Sequence, residues 1–162
     1  MSPLASFTDS LPLQQMTHGT LLTEEGSHSG RLFILEKGRL TVLREGVILA
    51  KIDEPGAVIG EMAALLGTPH SATVRADGLV SVRVMEDAVE NLGQNAELAL
   101  HIATIACARL DATSALLVEL RRNLAGRDKD QALLSRILTA LTAPPKGPPR
   151  PRSRQTRSYM HE

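Results

Sequence analysis

Glycine placement constrains this chain more than any other feature of its sequence. Nine of the twelve glycines fall between Gly19 and Gly78. A long helix cannot run through an interval broken at that density, because each interior glycine costs about 1 kcal/mol of helix stability. Between the glycines lie short strand-like runs: Thr20–Thr23, Leu32–Leu35, Leu40–Arg44, Val47–Ile52, Ser71–Ala76 and Val80–Met85. Short strands bounded by turn residues predict a compact antiparallel β-roll, a jelly-roll-like barrel, over residues 1–92. Gly38 follows Lys37 and Gly46 follows Glu45, each placed for a tight turn between strands. The fold class is therefore α+β, mainly β, with flanking helices.

The pattern then changes. No glycine or proline occurs between Gly93 and Gly126, which predicts a helix over residues 93–125, about 45 Å long. Ala103, Ala106, Leu110, Thr113, Leu117, Leu120 and Leu124 follow alternating spacings of three and four, the seam of a helix that packs on a partner helix. Leu98, Ile102, Ile105 and Leu116 form a second apolar stripe. One stripe is suited to the β-roll and the other to a second subunit, so a homodimer is expected. Cys107, amid alanines, reads as a small core residue. Residues 126–143 predict a shorter amphipathic helix, capped by Asp128 with Gln131, with Leu133, Leu134, Ile137, Leu138 and Leu141 on one face. Pro144 and Pro145 stop it.

Charge excludes several function classes. Lysine plus arginine number 18, as do aspartate plus glutamate, so the net charge is zero and a globally basic nucleic-acid binder is disfavoured. Residues 144–162 carry Lys146, Arg150, Arg152, Arg154 and Arg157 against Glu162, with five of the nine prolines. That composition predicts a disordered basic tail, either a solubilising extension or an electrostatic contact for a polyanion. Aromatic residues make up 2% of the chain, too few for base-stacking platforms. One cysteine excludes an intramolecular disulfide. No apolar run approaches the roughly 20 residues of a membrane span, and the N-terminus lacks signal-peptide features. A cytoplasmic location is expected. The five histidines are scattered, with no paired metal ligands and no activated nucleophile, so an enzyme is not expected and no metal or cofactor is assigned.

The segment from Gly56 to Ala76, GAVIGEMAALLGTPHSATVRA, carries the chemistry. Gly56 and Gly60 allow a sharp turn after a strand, and Glu61–Leu66 is a run of good helix formers ended by Gly67. A helix start offers backbone amides to an anion. Glu61 suits a sugar hydroxyl, while His70 and Ser71 offer donors. Together they fit a small ligand with one phosphate and an adjacent ribose.

This segment resembles the phosphate-binding cassette of the cyclic nucleotide-binding domain family, whose pattern runs roughly F-G-E-(L/I/M)-A-L-L, then P-R-(S/T/A)-A-T-V. The resemblance extends through LLTEEGSHSGRLFILEKGRLTV and covers residues 20–125. It implies that Glu61 accepts the ribose 2′-OH, that the Gly60 backbone approaches the ligand, and that the Met62 and Ala63 amides face the phosphate. It also implies that Ser71 lies beside the phosphate, as in cAMP-preferring members more than cGMP-binding ones. ARLDATSALLVEL resembles the long helix of the bacterial catabolite activator subfamily, in which an adjacent Thr-Ser pair reaches the adenine. Thr113 and Ser114 match that pair.

Two positions depart from the pattern. Ile59 stands where aromatics are common, and His70 replaces the phosphate-binding arginine. Arginine is always charged and grips phosphate through two parallel donors, whereas histidine has an unperturbed pKa near 6.5. Losing that pair costs roughly 2–4 kcal/mol, about 30- to 1000-fold in affinity. Arg75 alternates onto the opposite strand face and is no substitute. Residues 126–162 do not provide the roughly 60 residues of a winged helix-turn-helix. The resemblance therefore implies a stand-alone cAMP-type sensor domain moving its long helix. The alternatives are a degenerate dimerising scaffold that binds a protein partner, or a truncated regulator with DNA contact through its tail.

Overall fold

The structure is a computed structural model and describes residues 8–123 together with 132, 135–137 and 139. The chain divides into two compact units, parted between Asn95 and Ala96. In the first, the strands are β1 Leu13–Met16, β2 Leu21–Thr23, β3 Leu32–Lys37, β4 Leu40–Arg44, β5 Val47–Ile52, β6 Val58–Ile59, β7 Thr73–Ala76 and β8 Val80–Met85. Helix α1 (Glu61–Leu66) lies between β6 and β7, and α2 (Ala88–Gln94) follows β8. Helix α3 (Ala96–Asn123) belongs to the second unit.

All strand pairs are antiparallel, in two four-stranded sheets ordered β1-β8-β3-β6 and β2-β7-β4-β5. Phe33 pairs with Val84 and Leu35 with Val82 in the first sheet. Leu40 pairs with Ala76 and Val42 with Val74 in the second. Alternation turns each of these pairs to one face, and they meet with Met16, Leu22, Ile59 and Val80 in one core. This is the β-roll expected from the glycine punctuation. The turn between β4 and β5 uses Glu45 (φ 51°) and Gly46 (φ 76°). Two consecutive positive φ values define a type I′ hairpin, whose twist matches that of its strands.

Several boundaries differ from the sequence reading. The long helix starts at Ala96, not at residue 93, because Asn95 adopts an extended backbone (φ −128°, ψ 91°) and Gly93 lies inside α2. An extended residue breaks the helical ladder outright, whereas a glycine only weakens it. Strands β1 and β6 escaped the sequence reading, since four and two residues are too few to show alternation.

The second unit corrects one expectation. Cys107 is exposed, not a core residue. The seam positions Ala103, Ala106, Leu110, Thr113 and Leu120 are exposed too, and Leu117 is half-buried. Leu98 and Ile102 are buried, whereas Leu116 is 66% exposed. By length and composition α3 is apolar enough to cross a membrane, although no uninterrupted apolar run in it is long enough. Averaging over the helix passes over Arg109 and Asp111 at its middle. Leu124, most of the expected helix at 126–143 with its Asp128 cap, and the tail at 144–162 lie outside the described residues. Residues 135–137 and 139 are helical, and the Thr139 hydroxyl donates to Ser135 O at 2.9 Å.

Leu40 is fully buried and Leu79 is 69% exposed. Leu40→Ala is expected to lower unfolding free energy by about 2–5 kcal/mol. Leu79→Ala is expected to stay within about 0.5 kcal/mol of the parent. Urea titration at 25 °C followed by far-UV circular dichroism checks both.

Candidate functional site

The site is built from the passage of β6 into α1. Gly60 caps the helix in the left-handed region (φ 90°, ψ −2°), with no side-chain capping bond. A Cβ at this position would sit 2.7 Å from the Arg31 carbonyl oxygen, so only glycine lets the chain turn this close to the start of β3. The first intrahelical bond runs from the Ala64 N–H to Gly60 O at 3.1 Å. The Met62 and Ala63 amides thus precede the helical ladder. Gly67 ends the helix in the left-handed region, its N–H donating to Ala63 O. The Glu61 carboxylate side chain is 4% exposed at the helix start, Ala63 is buried, and Met62 is exposed.

His70 returns the chain to this helix start. Its N–H donates to Ser27 O at 2.8 Å, and the Gly26 N–H donates to His70 O at 2.9 Å. This pair of bonds ties the cassette to the 26–31 loop. The imidazole is 5% exposed. Its Nε2 lies 2.7 Å from Ser29 Oγ, and Ser29 Oγ also accepts from the Arg31 N–H at 3.3 Å. The ring Cε1 is 3.7 Å from where a Gly60 Cβ would be. Burial first, then the neighbouring His28, hold the His70 pKa below its usual 6.5. The loop is anchored in turn by the Ala88 N–H on Gly30 O at 3.0 Å and by Arg31 Nε on Glu86 Oε2 at 2.9 Å.

Gly60, Glu61, Met62 and Ala63 follow one another through the helix start and His70 is buried against it, while Ser71 is exposed on the segment that follows. Thr113 and Ser114 lie on α3, in the other unit. Their hydroxyls donate to Arg109 O and Leu110 O, both at 2.8 Å, as helix back-bonds. Arg75 pairs with Leu21 and Thr41 between the core-facing Val74 and Ala76, so its side chain takes the outer sheet face. Its Nε is buried without a hydrogen-bond partner among the described residues. It does not replace the missing cassette cation. Sequence reasoning missed Ser29, because GSHSG reads as a solvated turn. The signal, a hydroxyl facing a histidine 41 positions away, exists only in the fold. Among the described residues, no three His, Cys, Asp or Glu side chains cluster to hold a metal.

The sequence profile of the cyclic nucleotide-binding domain matches residues 13–94, half of the chain. The chain belongs to that family. It is 37% identical over 71 residues to the cGMP-dependent protein kinase egl-4 of Caenorhabditis elegans, and equally so to that of Caenorhabditis briggsae. The match covers 44% of this chain but 9% of each kinase. Among solved structures, cAMP-bound PfPKA-R superposes with a TM-score of 0.59 at 21% identity, covering 74% of this chain and 41% of that one. A PKAR CBD2 structure bound to Sp-2Cl-cAMPS gives 0.58 at 22% identity, covering 74% and 80%. The N-terminal domain of a transcriptional regulator from Streptomyces coelicolor gives 0.52 at 24% identity, covering 68% and 83%. These likenesses share the β-roll fold.

Two outcomes follow from this geometry. Gly60→Ala places a methyl against the Arg31 carbonyl at positive φ; the left-handed conformation alone costs about 1–2 kcal/mol, so the loss of unfolding free energy is expected to exceed that. For His70, the folded pKa lies below the unfolded value. Its contribution is complete above pH 6.5 and is lost as pH falls from there through the folded pKa. The urea midpoint is therefore expected to drop more between pH 7.5 and 5.5 in the parent than in His70→Gln. Equal drops would contradict the assignment.

Proposed function

We propose that this chain carries a cyclic nucleotide sensor domain of the cAMP type, acting by allosteric movement of its long helix and not by catalysis. One observation carries the reading: Gly60, the Met62 and Ala63 amides and the buried Glu61 carboxylate meet at one helix start with His70 against it. In this reading Glu61 accepts from the ribose 2′-OH, the Met62 and Ala63 amides donate to the cyclic phosphate, and the Ser71 hydroxyl joins them. Thr113 and Ser114 exchange their helix back-bonds for contacts with the base. Ligand then shifts α3 between two positions, in proportion to its differential affinity for them. Ser71 favours cAMP; the match to cGMP-dependent kinases makes cGMP the competing ligand.

Leu110, Leu116, Val118 and Leu120 are 44–66% exposed on α3, and a second copy of the helix is their proposed cover. A bilayer fits less well, since Arg109 and Asp111 would each cost about 2.5–3.5 kcal/mol at its centre. We place the protein in the cytoplasm on the same reading.

His70 sets the terms of binding. Burial and then the neighbouring His28 hold its pKa below the usual 6.5, and an anionic phosphate beside it favours the charged form. Ligand binding thus takes up a proton, and affinity rises as pH falls from the His70 pKa of the complex toward that of the free site. The Ser29 bond supports a second reading, because a buried neutral imidazole held by a hydroxyl is a stable core feature without any ligand. In that reading the domain is a dimerising scaffold for a protein partner.

Calorimetry with cAMP and cGMP at pH 6 and pH 8 separates the two. The sensor reading expects tighter binding at pH 6. It also expects His70→Arg to gain about 30- to 1000-fold and to lose the pH dependence. Absence of heat in both proteins at both pH values leaves the scaffold.

A further inference from the structure

The two ring nitrogens of the buried His70 have different surroundings. Nε2 lies 2.7 Å from Ser29 Oγ. Nδ1 has no hydrogen-bond partner among the described residues. It is not sealed away either, since the buried unpartnered side-chain nitrogen among those residues is Arg75 Nε. Nδ1 therefore keeps access to an incoming group, on a ring packed against the helix start.

The Ser29 hydroxyl decides which nitrogen carries the proton. A hydroxyl has one proton to donate and two lone pairs to offer. The Arg31 N–H already donates to Ser29 Oγ at 3.3 Å. That leaves the hydroxyl proton, whose acceptor among the described residues is His70 Nε2. A neutral imidazole that accepts at Nε2 carries its own proton on Nδ1. The reverse arrangement gives Ser29 Oγ two donors and leaves its proton without an acceptor among the described residues. The backbone holds the pair in place through the His70 N–H on Ser27 O at 2.8 Å and the Ala88 N–H on Gly30 O at 3.0 Å. Of the charged and titratable neighbours, His28 acts on the ring, the Arg31 guanidinium is engaged by Glu86, and Glu61 lies buried at the helix start.

We propose that Ser29 is a positioning residue for nucleotide binding, holding the His70 proton on Nδ1 so that Nδ1–H is the donor to the cyclic phosphate. The inference rests on the nucleotide reading of this site, and adds the donating atom and the residue that prepares it. The proton taken up from solvent with the ligand then goes to Nε2, the remaining basic nitrogen. The Ser29 hydroxyl turns and accepts from the new Nε2–H, so the ring gains charge without moving. A charged ring donates from both nitrogens whatever stands beside it, so Ser29 matters most while His70 is neutral. Threonine keeps the hydroxyl at this position and alanine removes it.

Long-range ¹H–¹⁵N correlation spectra of the full chain at pH 8, without nucleotide, read the tautomer directly, with His70 assigned by its disappearance in His70→Gln. A protonated Nδ1 and a bare Nε2 are expected in the parent and in Ser29→Thr, with that bias lost in Ser29→Ala. A proton on Nε2 in the parent overturns the proposal. Calorimetry with cAMP reads the consequence for binding. Ser29→Ala is expected to weaken binding about two- to tenfold at pH 8 and less at pH 6, while Ser29→Thr binds as the parent does. An equal loss at both pH values marks a structural role alone and overturns the positioning claim. A parent that gives no heat at either pH, with the expected tautomer, refutes the nucleotide reading and the role in binding with it, and leaves the Ser29–His70 tautomer standing.

Discussion

The approach of Gly60 to the Arg31 carbonyl is the contact on which the rest of the site depends. At a spacing of 2.7 Å from an added Cβ, no side chain fits, and a φ of 90° excludes most residues anyway. That one turn decides where α1 begins. It puts the Glu61 carboxylate inside and the Met62 and Ala63 amides at the helix mouth, and leaves His70 a slot beside the glycine. The loop holding Arg31 is fastened outside the cassette as well, by Gly30 to Ala88 and by Arg31 to Glu86. The close approach is therefore a property of the roll and not of the cassette alone.

The histidine changes the electrostatics of this frame. An arginine stays charged wherever it is placed, so a site built on it holds a cation before any ligand arrives. A buried imidazole sheds its proton instead, which spares the free fold a desolvated charge and leaves the site without one. Charge then depends on pH and on what enters. Ser29 contributes to the same balance by giving Nε2 a partner in the free state. Stability and binding draw on this group with opposite sign as pH falls.

Much of this was legible in the sequence, for identifiable reasons. The hairpin β4–β5 and strand β8 agree with the sequence reading to the residue, because turn residues bracket each β-branched run. Helix α1 agrees as well, bounded by Gly60 and Gly67. The cassette residues could be named because their chemistry is contiguous in the chain. Ser29 could not, since its role depends on a loop brought back across 41 positions. The environment of Cys107 was misjudged because the alanines around it signal close packing only when a neighbour is present. Asn95 was passed over because an extended break carries no compositional mark, whereas Gly93 carries one and lies inside a helix.

The central claim is that the α1 start receives a cyclic nucleotide phosphate. The most direct measurement is a titration of cAMP into the ¹⁵N-labelled protein, followed through the amide resonances of Gly60, Met62 and Ala63. Saturable shifts largest at those three amides, with the strands of the outer sheet edge unmoved, are the predicted result. Unchanged Gly60, Met62 and Ala63 resonances at millimolar cAMP at pH 6 would contradict the account.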